Sequence, residues 1–281
     1  MPQPTEPLPE PIEILRPNAW PQISYSSATT MGACEKKFSY RYLQRLPEEP
    51  TPAMAKGSLF HRGARAWWSG GSWEAEVKSA GEEWIAANPE AMAVPDWIPD
   101  CSWLLQRYAS MYEAEREAVE VVGTEIPFRL RLPGRYAWLV GSMDMVLRIG
   151  GRLWVVEIKT MADFDRLEAF TWDSQLTLYY WAAAELGMAP WGILLEAAKT
   201  YRWKNPRPVE DSFQRRWLDR SADHIAEALA DADAVLTRQR ALANGARPVR
   251  NIDRPCNWCP HREPCRTELA FGPMTVEWEE D

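Results

Sequence analysis

Residues Ala137–Thr160 read AWLVGSMDMVLRIGGRLWVVEIKT. Two runs rich in β-branched and aromatic residues flank Gly150-Gly151, the dipeptide that a two-residue primed turn prefers. Both central positions of such a turn take positive φ, which glycine adopts without a Cβ clash. The turn sets the register: with Ile149 opposite Arg152, Leu147 falls opposite Trp154, Met145 opposite Val156, and Asp144 opposite Glu157. Directly opposed residues have Cβ atoms about 4.5–5.5 Å apart, and Lys159, two residues beyond Glu157, points to the same face. The count predicts that Asp144, Glu157 and Lys159 converge.

Two carboxylates facing each other raise the pKa of one of them unless a cation compensates. Lys159 can do so alone, or a divalent metal can, and carboxylate oxygens favour Mg²⁺ or Mn²⁺ over zinc. A hard cation beside a lysine is suited to hydrolysis. The metal acidifies a bound water and neutralises charge developing on a phosphate, while the lysine orients the nucleophile.

Working outward, a Pro-rich arm is expected over 1–22 and a mostly helical region over 23–120, with helices from Ser26 or Ser27 through Cys34 to about Leu43, then Met54–Trp68, Trp73–Ala87 and Trp103–Val119. The strand-rich core spans 121–210, with strands Thr124–Leu132, Ala137–Ile149 and Arg152–Thr160. A helix capped near Asp173 and closed by Gly187 follows, then a strand at Trp191–Ala197. This predicts an α/β fold of the α+β kind, a mixed sheet with a crossover helix. A long helix is expected from about Ser212 to Leu242 within 211–250, then a cysteine segment over 251–270 and an acidic tail over 271–281.

The chain has 281 residues, 46% of them hydrophobic, enough to bury roughly three quarters of its unfolded surface. The proline-rich start has neither the basic nor the apolar part of a signal peptide, and no apolar run reaches the ~20 residues that span a bilayer. A soluble, cytoplasmic protein without membrane contact is expected. The net charge of −8 argues against coating nucleic acid by bulk charge, although local basic clusters with tyrosine and tryptophan leave room for phosphate contacts. Trp203, beside Lys204, is the stacking candidate among the 16 tryptophans; Trp67, Trp181 and Trp191 are read as core.

Five cysteines in a reducing compartment point to metal binding or burial rather than disulfides. Cys34, Cys256, Cys259 and Cys265 form the pattern C…C-x2-C-x5-C, four soft thiolates suited to a tetrahedral zinc or an iron–sulfur cluster. Cys101 is the spare. His224 and His261 are read as surface residues.

The run G-S-M-D with E-I-K resembles the D…E-x-K core of the PD-(D/E)xK nucleases. Gly57-Ser-Leu-Phe-His61 resembles the G-x-x-x-H motif of their RecB-like branch, and Gln175-Leu-Thr-Leu-Tyr179 its Q-x-x-x-Y motif. The cysteine pattern is similar to the iron–sulfur staple of AddB-type and CRISPR-associated members. Glu35 departs from the proline that often follows the first cysteine in that family.

The resemblance implies a restriction-endonuclease-like fold and a metal-dependent DNA exonuclease acting on single strands or duplex ends in DNA processing, recombination or repair. It implies Mg²⁺ or Mn²⁺ held by Asp144, Glu157, the Ile158 carbonyl and His61, with Lys159 positioning water. Gln175 then serves the reaction and contacts substrate, and Tyr179 contacts substrate; Trp203 and Lys204 join them as substrate contacts from their own basic and aromatic composition. It also implies a structural [4Fe–4S] cluster at the four cysteines, with zinc as the alternative. A catalytically idle DNA-binding subunit of a repair or CRISPR-adaptation complex is the competing reading. A homo-oligomer and a separate helicase or recombinase partner both stay open.

Overall fold

The computed structural model describes residues 21–90, 93–200, 207–252 and 254–271. In chain order the elements are β1 (Gln22–Ile23), α1 (Tyr25–Ala33), α2 (Glu35–Phe38), α3 (Pro52–Trp68), α4 (Trp73–Ala87), α5 (Trp97–Ala118), β2 (Glu120–Arg131), β3 (Trp138–Ile149), β4 (Arg152–Met161), α6 (Leu167–Thr171), α7 (Ser174–Glu185), β5 (Gly192–Lys199), β6 (Phe213–Leu218), α8 (Ala222–Ala243) and α9 (Arg262–Phe271). They group into two compact units that cut across the expected sequential segments. The smaller gathers described residues within 1–49, 131–140 and 230–281, and the larger those within 50–130 and 141–229.

The larger unit is a mixed sheet flanked by helices. Its strands run in the order β3-β4-β5-β6, with β2 also pairing β3. The β3–β4 hairpin turns at Gly150 and Gly151, whose φ values are 57° and 78°. Its register pairs Ile149 with Arg152, Leu147 with Trp154 and Met145 with Val156, as the sequence count requires. β4 and β5 are parallel, which forces a crossover, and α6 and α7 lie in it. Asp173 caps α7 by accepting the Gln175 N–H at 2.8 Å.

Alternation along β4 divides the chemistry between two faces. Val156 and Ile158 are buried in a core with Phe60, Trp67 and Trp68 of α3 and Leu104, Leu105 and Tyr108 of α5. Glu157 and Lys159 point to the other face, where α7 lies.

β6 is a correction to the sequence reading, which starts a helix at Ser212. Phe213–Leu218 instead pairs antiparallel with β5, setting Arg215 against Glu196. Glu196 is 2% exposed and pairs with Arg215, while the Tyr108 hydroxyl donates to it at 2.5 Å. A buried carboxylate needs such partners, and this requirement, invisible in the local sequence, holds the segment extended.

In the smaller unit, β1 pairs in parallel with Trp138 and Leu139 at the start of β3. The cap of α1 is Ser24, in a reciprocal capping box with Ser27, rather than Ser26 or Ser27. The expected continuous helix also breaks at Cys34, which is extended (φ −169°), before α2 and a π-helical turn over Ser39–Leu43. His261 is buried rather than on the surface: its ring nitrogen lies 2.7 Å from Glu48 and its ring packs on Tyr40. In the larger unit Trp191 is 56% exposed, against its reading as core. No helix among the described residues is long and apolar enough to cross a membrane.

Candidate active site

Each acidic group at the end of the hairpin has its own cationic neighbour. The β3–β4 ladder closes at Met145 and Val156, so Asp144 does not pair directly across with Glu157 as expected. Its Oδ2 instead accepts the backbone N–H of Ile158 at 3.0 Å and lies 3.2 Å from Nδ1 of His61. Glu157 is 3% exposed; its Oε1 accepts from Nζ of Lys159 at 2.7 Å. Nζ of Lys159 donates also to Oε1 of Gln175 at 2.5 Å, and Nε2 of Gln175 donates to the Tyr179 hydroxyl at 3.1 Å.

A glycine brings His61 within reach. Gly57 lies one helical turn earlier on the same face of α3, and a Cβ there would sit 3.0 Å from Oγ1 of Thr160 on β4. The bare backbone lets α3 approach the end of β4 closely, and the next turn then carries the imidazole to Asp144.

The electrostatics follow from burial and pairing. Burial opposes charge on His61, but the hydrogen-bonded Asp144 carboxylate outweighs it and holds the imidazole pKa above its ordinary value. Burial likewise works against ionised Asp144, yet His61, the Ile158 N–H and Lys159 together lower its pKa. Glu157 goes the other way. Burial first and Asp144 second push it up to about 7, against the pull of Lys159 and His61. Its Oε2 is buried with no hydrogen-bond partner.

That orphaned oxygen bears on whether a metal suits the site. No group of three or more His, Cys, Asp or Glu side chains among the described residues is gathered so as to hold a metal ion. Even so, a buried carboxylate with one oxygen unsatisfied, a second carboxylate beside it and no nearby thiolate form a donor set that fits a hard divalent cation.

Tyr179, expected to contact substrate, lies behind Gln175. It is 9% exposed, packs edge-on against Phe128 at 5.5 Å, and holds the Gln175 amide. Trp203 and Lys204 lie outside the described residues. The sequence reading missed Phe170, whose ring centre is 5.8 Å from Nζ of Lys159. An aromatic residue just before the Asp173 cap was the only signal for it.

In the smaller unit, Cys34, Cys256, Cys259 and Cys265 line one cavity of about 270 Å³ with Lys36, Tyr40 and Arg250. All four are free thiols. Cys34 is tied to the later segment: the Lys36 N–H donates to the Val249 carbonyl at 3.2 Å, and the Asn251 side chain donates to the Ala33 carbonyl at 3.0 Å. Glu35, the departure from the family's proline, takes a forked pair of bonds from Arg238 at 2.7 and 2.6 Å and the Val249 N–H at 2.8 Å. Glu268 of α9 accepts from Lys36 at 2.7 Å and from Tyr40 at 2.5 Å, and lies 3.3 Å from Arg250. Cys101 is buried in the larger unit, its thiol directed at the Lys56 carbonyl.

The chain belongs to the PD-(D/E)XK nuclease superfamily, whose sequence profile matches residues 22–266. Among solved structures it is similar to a protein from Eubacterium rectale that carries the name "Putative exonuclease", with a TM-score of 0.57 and 15% identity over 84% of this chain and 87% of that one. At that identity the likeness concerns the fold. A second structure, SSO0001, aligns at 17% identity over 84% of this chain and 93% of that one, with a TM-score of 0.36. No curated protein matches the chain.

Proposed function

We propose that this nuclease is a metal-dependent DNA exonuclease of the RecB-like branch, acting on single strands or duplex ends in DNA processing, recombination or repair. One observation carries the reading: a buried Glu157 carboxylate with an unsatisfied oxygen, set between Asp144 and a lysine that Gln175 holds in place. Asp144, Glu157 and the Ile158 carbonyl would hold Mg²⁺ or Mn²⁺, with His61 at Asp144 as a further ligand or as the group that orients that carboxylate. When bound, the cation supplies charge neutralisation at the phosphate and a more acidic water.

The chain's own residues do the rest. Lys159, held by Glu157 and Gln175, places its positive charge where it can act on the attacking water or a phosphoryl oxygen. Gln175 fixes the position of that ammonium, and Tyr179 fixes the Gln175 amide from behind. Asp144 stays ionised, and its bond to the Ile158 N–H sets the orientation of the carboxylate. In this reading Tyr179 is a positioning residue rather than a substrate contact.

At the four cysteines we propose a structural [4Fe–4S] cluster. No three of them are gathered tightly enough among the described residues to hold one ion, yet all four surround a single cavity. Zinc, which would draw the same thiolates to about 2.3 Å, is the alternative.

The test uses end-labelled single-stranded and duplex DNA with Mg²⁺, with Mn²⁺, and with chelator. Wild type should degrade from an end only with the cation, and Glu157→Ala and Lys159→Ala should be inactive while melting cooperatively. Absence of cation-dependent degradation by wild type would overturn the nuclease reading and leave the idle DNA-binding subunit, and degradation undiminished by both substitutions would overturn the assignment of Glu157 and Lys159. Iron and sulfide analysis after anaerobic purification decides between cluster and zinc.

A further inference from the structure

The segment between β4 and α7 carries aromatic side chains that the reaction above does not use. Phe170 lies beside Lys159, and the ring centre of Phe164 is 4.9 Å from Nζ of Lys199 at the end of the neighbouring parallel strand. Between α6 and α7 stands Trp172, 77% exposed. Its backbone is fixed on every side. The Trp172 N–H donates to the Ala169 carbonyl at 3.4 Å, and the next residue, Asp173, donates its N–H to the Phe170 carbonyl at 3.1 Å and caps α7. Arg220 donates to the Thr171 carbonyl and to the Thr177 hydroxyl, each at 2.8 Å, tying the elbow together. The fold thus holds a large apolar ring out in water on a pinned support, three residues from Gln175.

An indole so placed contributes little to folding, because its face is not removed from water. Its neighbours select the occupant. Lys159 and Lys199, at the carboxyl ends of two parallel strands, supply positive charge for a phosphate backbone, and ligands of open α/β sheets bind at such strand ends. An exposed flat ring on the segment whose Phe170 and Phe164 lie against these two lysines matches an unpaired nucleotide strand, whose bases expose both faces, whereas bases within a duplex are already stacked.

We propose that Trp172 is a stacking platform for an unpaired base flanking the scissile phosphate, so that the site takes single-stranded DNA or a frayed end in preference to an intact duplex. This rests on the nuclease reading above. Aromatic stacking of this kind is sequence-tolerant, so no preference among the four bases is expected from it.

The experiment compares wild type, Trp172→Ala and Trp172→Phe in single-turnover cleavage of a labelled single strand, and in binding of the same strand to each protein carrying Glu157→Gln in chelator. Trp172→Ala should weaken both by about ten-fold, within the range for loss of one stacked base, and Trp172→Phe should retain most of both. A single abasic nucleotide scanned along the strand should reproduce the loss at one position, and there Trp172→Ala should add nothing further. Equal cleavage and binding by wild type and Trp172→Ala, or losses that multiply at every abasic position, overturn the stacking assignment and leave the exposed ring to some other partner. Absence of cation-dependent cleavage by wild type instead defeats the nuclease reading, so the two failures are told apart.

Discussion

Nζ of Lys159 lies 2.7 Å from Oε1 of Glu157 and 2.5 Å from Oε1 of Gln175, so one ammonium group links the carboxylate of β4 to the first turn of α7. An ammonium has three donors, and two are committed here to fixed acceptors. The position of the charge is therefore set by the fold rather than by solvent. This turns a lysine, ordinarily a flexible point charge, into a positioned one.

The first prediction separates charge from orientation. Lys159→Ala should lower kcat by about 10²–10⁴-fold, the range for loss of a group acting on the transferred proton or the developing charge. Gln175→Ala leaves the ammonium in place but unfixed, so its loss should be smaller and fall on kcat more than on KM. Tyr179→Phe, which removes the hydroxyl behind Gln175, should cost less again. Steady-state kinetics on one labelled single strand measure all three, and an effect of Tyr179→Phe as large as that of Lys159→Ala would overturn the order.

The second concerns pH in the metal-free protein. An ordinary glutamate titrates near 4.5, and burial with Asp144 pushes Glu157 up to about 7 in the fold. Between those values the unfolded chain releases a proton that the native state retains, so the native state is penalised increasingly as pH rises. Wild type should lose stability relative to Glu157→Gln from about pH 4.5 to about pH 7, with a constant deficit above. Denaturant melts in chelator at a series of pH values measure this difference. Saturating Mg²⁺ should then restore wild type at pH 8 and leave Glu157→Gln unmoved.

How far the sequence carries the site depends on which contacts are local. The Gly150-Gly151 turn and period-2 alternation suffice to place Met145 against Val156, and hence to bring Asp144, Glu157 and Lys159 together. They do not show that Asp144 leaves the ladder for the Ile158 N–H, because that bond depends on His61 arriving from a distant helix. β6 was not legible for a similar reason: Phe213-Gln-Arg-Arg-Trp-Leu has no alternation, and only the buried Glu196 on β5 explains why Arg215 lies in a strand. The break at Cys34 has no local helix breaker either. Its cause is the Val249–Asn251 segment, more than 200 residues away, which takes the backbone bonds that a continuous helix would keep.

The third prediction uses that segment. Glu35 holds Arg238 and the Val249 N–H together, and Arg238 in turn lowers the Glu35 pKa. The hydrogen bond from Arg238 is the dominant cause and burial opposes it. Glu35→Ala should lower Tm by about 2–4 °C, a shift of the size one lost hydrogen-bonded pair gives in a chain of this length. It should also speed the release of iron from anaerobically prepared protein into chelator. Unchanged iron release with a lowered Tm would confine Glu35 to a role in folding alone.

The last prediction tests the glycine that lets α3 approach β4. A Cβ at position 57 would stand 3.0 Å from Oγ1 of Thr160, tighter than ordinary contact but against a side chain that can yield by a few tenths of an ångström. In a helix interior alanine is favoured over glycine by about 0.8–1.0 kcal/mol, and this offsets the crowding. Gly57→Ala should therefore leave Tm within a few degrees of wild type. Its activity should fall much further, because a small retreat of α3 moves His61 off Asp144, and catalytic geometry tolerates about 0.5 Å. Thr160→Ala removes the obstructing hydroxyl, so Gly57→Ala combined with Thr160→Ala should regain activity that Gly57→Ala alone loses. His61→Ala removes the imidazole altogether, and in that background Gly57→Ala should change activity no further. Rescue by Thr160→Ala together with silence in the His61→Ala background would assign the glycine to histidine placement, whereas additive losses would mean that the close approach serves packing alone.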